Sequence, residues 1–283
     1  MNETSVRARA SREDPRAGSA GSPEVGPTRS FRRDALRVEV YGSPAELGEA
    51  AAAGVEKWLA SAIASRGEAN LVFAAAVSQL SFLGALRRKA IDWARVTVFH
   101  LDEYTELPED HPASFRRFLR EHLLDAVQPG CVHLMRGDAD DLQGEIERYK
   151  SLLRAHPLDV ACIGIGENGH IAFNDPPVAD FNDPLLVKEV ELDDACRLQQ
   201  VHDGWFSSFD ETPRRALTLT VPAIMSSRVI SCVVPGERKA DAVHDTLNGP
   251  IITACPASIL RRHHNATLLL DPASGARVRA RSP

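Results

Sequence analysis

The sequence has little that would place the protein in a membrane or in an oxidising compartment. No apolar run approaches the roughly 20 residues that span a bilayer, and no apolar core follows the basic first residues as in a signal peptide. The five cysteines are odd in number, dispersed and never paired as CxxC, which argues against disulfides and against a cysteine-based metal site. We expect a cytoplasmic protein with reduced thiols.

Several enzyme signatures are also missing. No GxGxxG dinucleotide fingerprint follows the first predicted strand, and the sequence has neither a GxSxG nucleophile elbow nor a P-loop. The adjacent histidines His263 and His264 have no second pair at metal-ligand spacing. Neither serine-hydrolase chemistry nor P-loop phosphoryl transfer is therefore expected.

Charge is distributed unevenly along the chain. The net charge is −6, but residues 1–33 hold seven arginines and four acidic residues, which leaves −9 for the remainder. An acidic body disfavours nucleic acid as a partner, so an anionic substrate would need a local positive pocket. Because residues 1–33 have almost no large apolar side chain, we expect a disordered basic tail there, with a nucleic-acid-binding arm as the alternative.

Apolar segments of strand length alternate with helical patterns from residue 36 onward. Strands are predicted at residues 36–41, 70–76, 96–101, 131–134, 158–163, 185–192, 216–221, 229–234 and 267–270, and helices at 43–64, 77–90, 114–127, 138–155 and 237–247. This order predicts an α/β fold with a doubly wound, mainly parallel sheet flanked by helices. We expect one domain over residues 34–275 and a C-terminal tail at 276–283; a homo-oligomer is compatible with the sequence.

Polar residues follow several of these strands, where ligands bind in open α/β sheets. Asp102 and Glu103 end the third strand, and since successive residues point to opposite sides, only one can face a cleft. That carboxylate could be a general base whose pKa is raised by burial. Taken alone, an acidic surface loop is the more common explanation.

A denser cluster, GIGENGHIAFNDPP, follows the strand at 158–163 and spans residues 164–177. Its glycines, Gly164, Gly166 and Gly169, permit close approach of backbone to a ligand. Asn168, His170 and Asp175 form a polar set in which the carboxylate can accept the ring N–H of the histidine and raise its basicity. This pattern favours proton-transfer chemistry over a merely structural histidine.

Two further segments could hold a phosphate. Residues 74–79, AAAVSQ, occupy a strand-to-helix turn of the kind that binds phosphate through backbone N–H groups, but they contain no glycine. Lys239 lies in the first turn of a helix, where a lysine opposes the helix dipole and needs an anionic partner; Arg238 could act in the same way. A plain capped turn and a surface lysine are equally good explanations.

Five segments taken together carry a stronger signal: LDEY at 101–104, GIGENGHIAFNDP at 164–176, RALTLT at 215–220, PGERKA at 235–240 and PASIL at 256–260. They resemble the glucosamine-6-phosphate deaminase/isomerase family, which is related to the 6-phosphogluconolactonases. The resemblance covers about residues 36–272, and GHIAFND favours the deaminase branch. It implies a Rossmann-like fold and conversion of an amino sugar phosphate to fructose 6-phosphate and ammonia without a metal or other cofactor.

The resemblance also implies roles for individual residues. Asp102 is the base that moves a proton from C2 to C1, His170 acts on the ring oxygen to open the pyranose, and Lys239 is a phosphate ligand. Asn168 and Asp175 match positions that flank and orient the histidine. The other substrate-binding positions that we expect are Ser78, Gln79, Gly166, Gly169 and His202.

The chain departs from the family pattern mainly where the phosphate is held. AVSQL stands at the turn that usually reads TGGxP, and His202 lies near the place of an expected arginine. Asp175 replaces the usual glutamate, one methylene longer. The alternatives are therefore a 6-phosphogluconolactonase-like hydrolase or other sugar-phosphate isomerase, and a catalytically silent sugar-phosphate sensor. Residues 178–212 form either a lid over the site or an ordinary surface excursion.

Overall fold

An eight-stranded, mainly parallel sheet forms the centre of the molecule in a computed structural model that describes residues 26–278. The strands of the chain are β1 Arg29–Arg33, β2 Leu36–Val40, β3 Ala69–Phe73, β4 Val96–His100, β5 Asp102–Tyr104, β6 Cys131–His133, β7 Val160–Ile163, β8 Val187–Glu191, β9 Arg215–Leu219, β10 Val229–Val234 and β11 Ala266–Leu270. The main sheet has the order β1-β2-β11-β10-β7-β3-β4-β6, and within it only β1 runs antiparallel to its neighbour.

Helices cover both faces of this sheet. They are α1 Pro44–Arg66, α2 Leu80–Leu86, α3 Phe115–Leu119, α4 Asp125–Val127, α5 Leu142–Ala155, α6 Asp194–His202, α7 Val221–Met225 and α8 Ala240–Asn248. A π-helix, Arg120–Leu124, joins α3 to α4, and 3₁₀ helices lie at Val77–Gln79, Trp93–Arg95, Glu237–Lys239 and Pro256–Arg262. The predicted doubly wound α/β fold is confirmed.

Local sequence accounts for the clearest of these elements. The Ser43 hydroxyl accepts a hydrogen bond from the backbone N–H of Glu46, Pro44 begins α1, and Gly67 ends it with a left-handed φ of 85°. Along β3, Leu71 and Phe73 face one hydrophobic core while Val72 faces the other. A strand buried on both faces requires the near-continuous apolar run that predicted it.

Two predicted strands are not in the main sheet. β9 pairs with both β5 and β8 in a separate three-stranded antiparallel sheet in the order β5-β9-β8. Strand patterns reveal extended segments but not their partners, since pairing depends on contacts between residues distant in sequence. β5 follows β4 after a single residue, Leu101, so this small sheet holds the chain at the carboxyl end of β4.

The predicted tail boundary at residue 33 was wrong. Arg29–Arg33 form β1, antiparallel to β2, with Arg29 opposite Val40 and Arg33 opposite Leu36. An edge strand of this kind exposes alternate side chains and can therefore contain several arginines. Its composition is then similar to that of a disordered tail. At the other end Val278 is buried, and its carbonyl accepts a hydrogen bond from the Arg29 guanidinium, so the predicted C-terminal tail begins too early at 276.

Residues 1–25 and 279–283, which hold the rest of both predicted tails, lie outside the described residues. Within residues 26–278, no helix is both long and apolar enough to span a bilayer.

Candidate active site

A cavity of about 450 Å³ opens at the carboxyl ends of β3, β4, β7, β10 and β11. The segments that follow these strands all contribute to its wall, in agreement with the general position of ligand sites in parallel sheets. The polar residues on this wall include Ser78, Gln79, Asp102, His170, Gln199, Gln200, His202, Asp203, Arg238, Lys239 and Asp271. The sequence segments singled out for chemistry thus meet at one place.

The two adjacent carboxylates of β5 have different surroundings. Asp102 lines the cavity and is 7% exposed, whereas Glu103 is fully buried on the other side of the strand. Glu103 accepts hydrogen bonds from the Ser114 hydroxyl at 3.0 Å and from the Arg116 backbone at 2.9 Å, and the Arg116 guanidinium lies 3.2 Å away. Glu103 therefore holds the start of α3, and Asp102 alone faces the cavity.

Burial determines the electrostatics of Asp102. Desolvation raises the pKa of its carboxyl group well above the ordinary value of 3.8, and the negative charges of Glu103 and Asp175 raise it further. A carboxylate with a raised pKa is a stronger base than an ordinary aspartate. The site thus offers a base suited to a weakly acidic proton.

His170 lies on the cavity wall with its carboxylate partner behind it. Nδ1 of His170 is 2.9 Å from Oδ1 of Asp175, although the ring N–H does not point straight at that oxygen. The Asn168 amide donates to the same oxygen at 2.8 Å, and its carbonyl accepts from the His170 backbone N–H at 3.0 Å. Asn168 and Asp175 therefore position the histidine from behind, and His170 alone of the three lines the cavity.

Opposing effects act on the buried Asp175 carboxylate. Burial alone would raise its pKa, but the nearby His170 ring and the Asn168 amide stabilise the anion, and the net result is a lowered pKa. Asp175 is therefore negatively charged at neutral pH. This fixed negative charge lies 2.9 Å from Nδ1 of His170 and helps to hold the ring in place on the cavity wall.

The glycines of this loop are required by close contacts. A Cβ atom on Gly166 would lie 2.1–2.3 Å from three atoms of the His170 ring, so only glycine leaves room for the ring. Gly169 has a φ of 85°, and a Cβ there would lie 2.9 Å from Sγ of Cys255. Gly164, Gly166 and Gly169 do have GxGxxG spacing, but the chain turns back at Gly169 and no helix follows, as dinucleotide binding would require.

The end of the loop is anchored to β9. The buried Asn174 amide donates to the carbonyls of Ile171 at 2.9 Å and Leu219 at 2.8 Å, and the Phe173 backbone N–H donates to the Thr218 hydroxyl. Between these anchors Ala172 lines the cavity with a left-handed φ of 51°, a conformation that is strained for a residue with a side chain. The antiparallel sheet thus keeps the loop in an otherwise unfavourable shape.

The turn after β3, which also lines the cavity, is built without glycine. Gln79 is buried, and its amide donates to the Val233 carbonyl at 3.0 Å on β10. Ser78 is half-buried on the cavity wall. The Gln79 side chain therefore ties this turn to the neighbouring strand, and Ser78 is the more accessible of the two predicted ligands.

Lys239 lies on the same wall with only 8% of its surface exposed. Burial lowers the pKa of its ammonium group, while Asp203 and Glu167 act to raise it. Next to it, Arg238 pairs with Asp203 at 2.5 Å and with Glu167 at 3.3 Å. Two cations are thus side by side at this end, and the predicted His202 is an exposed wall residue.

Helix α6, which the sequence reading did not predict, covers part of the cavity. One face of it carries Cys196, Gln199, Gln200 and the following Asp203, a spacing of three and four residues typical of one helical stripe. Gln199 accepts from the Glu167 backbone N–H at 3.0 Å, and Gln200 accepts from the Tyr104 hydroxyl at 2.7 Å. The stripe is polar, which explains why apolar periodicity did not reveal it.

One group of side chains in the site is of the kind that binds metals. Ligand atoms of His170, Asp175 and Cys196 lie within 4.8 Å of one another. Burial raises the pKa of the Cys196 thiol, and the nearby negative charge of Asp175 raises it further. The thiol is therefore protonated beside the carboxylate that orients His170.

Comparison with known proteins agrees with these features. The family described as glucosamine-6-phosphate isomerases/6-phosphogluconolactonase matches residues 42–269. Curated proteins named glucosamine-6-phosphate deaminase from Bacillus thuringiensis (strain Al Hakam) and Bacillus cereus (strain AH820) are each 35% identical over 236 residues, which is 83% of this chain and 87% of the relative.

Solved structures agree as well. One described as a monomeric glucosamine-6-phosphate deaminase has a TM-score of 0.77 and 29% identity, covering 84% of this chain and 98% of its own. A 6-phosphogluconolactonase from Shewanella baltica has a TM-score of 0.69 at 22% identity, covering 83% and 96%, a likeness in fold alone. With a family match over most of its length and curated relatives at 35% identity, this chain belongs to the glucosamine-6-phosphate isomerase/6-phosphogluconolactonase family.

Proposed function

We propose that this protein is an amino-sugar-phosphate deaminase that converts glucosamine 6-phosphate and water to fructose 6-phosphate and ammonia. The names of the curated relatives support the substrate. The observation that carries the proposal is one cavity bounded by a buried aspartate, a carboxylate-backed histidine and a buried lysine, namely Asp102, His170 and Lys239. This combination provides two acid–base groups and a cation for an anionic substrate.

The reaction needs proton transfer at separate atoms of the sugar. His170 transfers a proton at the ring oxygen, which opens the pyranose to the free aldehyde. Asp102 then removes the proton from C2, which is acidified by the neighbouring carbonyl, and returns it to C1. The resulting C2 iminium is hydrolysed by water, giving the ketone of fructose 6-phosphate and releasing ammonia.

Each residue of the centre has a separate part in this scheme. The raised pKa of Asp102 makes it a base strong enough for a carbon acid. Asp175 and Asn168 are positioning residues that act through His170. Lys239 pairs with the phosphoryl group, and with Ser78 it places the sugar so that C1 and C2 lie near Asp102.

The test is release of ammonia from purified protein, measured with a glutamate-dehydrogenase couple, and of fructose 6-phosphate, measured through phosphoglucose isomerase. Glucosamine 6-phosphate should yield both products in equal amounts, and the His170→Ala variant should lose about 10²- to 10⁴-fold in rate. A panel of 2-amino and 2-acetamido hexose 6-phosphates defines the preferred substrate. No ammonia from any of them would overturn the proposal.

The same preparation separates the alternatives. Hydrolysis of 6-phosphogluconolactone that persists in Asp102→Asn indicates a lactonase, because no carbon acid is deprotonated in that reaction. Thermal stabilisation by a sugar phosphate without turnover indicates a sensor, since a ligand that binds only the folded state raises apparent stability. The cytoplasmic location and a homo-oligomeric state remain predictions from the sequence.

A further inference from the structure

Four charged side chains meet at the end of the cavity away from Asp102. Arg238 and Lys239 are the cations, and Asp203 and Glu167 are the anions nearest to them. In the part of the chain that the structure describes, Lys239 has no carboxylate within 4.0 Å, whereas Arg238 has two. The buried lysine is thus left for an incoming anion, whereas the arginine is already paired with two carboxylates.

The Arg238 guanidinium is held in a defined orientation. Nη1 is 3.3 Å from Glu167, and Nη2 is 2.5 Å from Asp203. A guanidinium has five N–H donors arranged as a planar fork, so these contacts use only part of its capacity. The group is 55% exposed and lies on the cavity wall beside Lys239.

Asp203 belongs to a different element from Arg238. It is the residue that ends α6, and its other side-chain contact is a long hydrogen bond of 3.4 Å from the Gln199 amide. Glu167, in contrast, belongs to the glycine loop, which is anchored to β9. Of the two carboxylates that hold Arg238, Asp203 lines the cavity and Glu167 does not, so the contact with Asp203 is the one that an incoming anion meets.

We propose that Arg238 is the second cation of the phosphoryl subsite, and that Asp203 is an internal anion which the phosphoryl group of the substrate displaces. Glu167 keeps Nη1 in place, and Nη2 passes from the Asp203 carboxylate to a phosphoryl oxygen. The exchange replaces one carboxylate–guanidinium contact with a bond to a dianion, to which Lys239 also binds. It also couples arrival of the phosphoryl group to movement of α6.

The local charge supports such an exchange. With all four side chains in place their charges cancel, and the carboxylates of Glu237 and Asp271 also lie on the cavity wall, so the resting site does not attract a dianion. When Asp203 withdraws, the local charge around Arg238 and Lys239 becomes more positive by one unit. The exchange thus lowers the electrostatic repulsion that a phosphoryl group meets in this acidic protein.

The proposal rests on the proposed function only in requiring a phosphorylated ligand, so it is tested by equilibrium binding. Calorimetric titrations with inorganic phosphate, 2-amino-2-deoxyglucitol 6-phosphate, which has no aldehyde and is not turned over, and glucosamine are compared for wild type, Arg238→Gln, Arg238→Lys, Asp203→Asn and the double variant Arg238→Gln/Asp203→Asn. The matched control is Arg215→Gln, which removes another half-exposed arginine that bridges two carboxylates, Glu106 and Glu189, away from the cavity.

We expect Arg238→Gln to raise the Kd for both phosphate-containing ligands about 10- to 100-fold and to leave any binding of glucosamine unchanged. Arg238→Lys should recover part of this loss. Asp203→Asn should lower the Kd several-fold, and that gain should disappear in the double variant, since it acts through Arg238. Arg215→Gln should match wild type.

Two results would overturn the proposal: an unchanged Kd in Arg238→Gln, or a Kd in Asp203→Asn that is raised as much as in Arg238→Gln. The second would mean that Asp203 serves only to position the arginine. Phosphate binding with the expected pattern but without ammonia release would support this inference while contradicting the proposed deaminase activity.

Discussion

The two ends of the cavity are built in different ways. At the proton-transfer end, Asp102 and His170 are held by a β-strand and by a glycine loop whose contacts leave no room for an added methyl group. At the phosphoryl end, Arg238 is half-exposed and held by ion pairs, one of them to the end of α6. Proton transfer requires geometry fixed within fractions of an ångström, whereas recognition of a dianion tolerates exchange of partners.

Burial has opposite consequences at the two ends. Loss of hydration raises the pKa of Asp102 and lowers that of Lys239, because in both cases it disfavours the charged form. The raised pKa gives the Asp102 carboxylate a higher affinity for a proton. The lowered pKa means that Lys239 loses its positive charge more easily. A second cation therefore strengthens the binding of a dianion at the phosphoryl end, whereas the base at the proton-transfer end does not depend on a second carboxylate.

The largest expected effect comes from Asp102→Asn, which should lower kcat about 10³-fold with little change in KM. The same change should raise the melting temperature. A carboxyl group whose pKa is higher in the folded than in the unfolded state stabilises the fold only at low pH, and it costs stability at neutral pH, where it must be ionised. The gain should therefore shrink as the pH is lowered.

Its neighbour is the control. Glu103→Gln should cost on the order of 3 kcal/mol of unfolding free energy, because it leaves the buried Arg116 guanidinium with less compensating charge. Kinetic assays and chemical denaturation of both variants decide the matter. A Glu103→Gln variant as inactive as Asp102→Asn but fully stable would show that the two roles are assigned the wrong way round.

The second prediction tests how tightly the glycine loop packs against the His170 ring. Gly166→Ala should lower kcat about 10²-fold, since the new methyl group must push the His170 ring out of position. The matched control is Gly54→Ala on the exposed face of α1, where a Cβ meets no atom within 4 Å. That change should add about 0.5–1 kcal/mol of stability without affecting activity. Equal activities in the two variants would contradict the close fit.

The third effect concerns the phosphoryl end. Lys239→Met should raise KM about 10- to 100-fold while kcat changes less, because the lost contact is to a part of the substrate that does not react. Stability should rise slightly, since a lysine whose pKa is lowered in the fold costs stability at neutral pH. Lys150→Met provides the control, because Lys150 is similarly buried but pairs with Glu147 on α5. A loss confined to kcat would place Lys239 in the reaction centre instead.

The smallest effect is a displacement of the pH profile. Because Asp102 acts as a base, it must be ionised in the free enzyme, and its raised pKa moves the acid limb of kcat/KM upward. The rate should fall on acidification at a pH clearly above the ordinary aspartate value of 3.8. An acid limb at that ordinary value would show that burial does not raise the pKa of Asp102.

Predictions from the sequence were accurate where the signal was local. The limits of α1 follow from Ser43, Pro44 and Gly67, each of which acts on the backbone of its own neighbourhood. Predictions failed at β1, because an exposed strand with several arginines has the composition of a disordered segment. They also failed at α6, because this helix presents polar side chains to a cavity. In both cases the stabilising contacts come from residues far away in sequence, and no local pattern records them.

The sequence by itself determined that Asp102, His170 and Lys239 follow strands of a parallel sheet, because apolar runs and the residues after them can be read directly along the chain. Only the tertiary structure decided that Asp102 and not Glu103 faces the cavity, since pairing of β5 with β9 sets the orientation of both. It also decided that Asp203 meets Arg238, across 35 residues of chain. Periodicity specifies each element, whereas the partners of a side chain depend on how elements pack together.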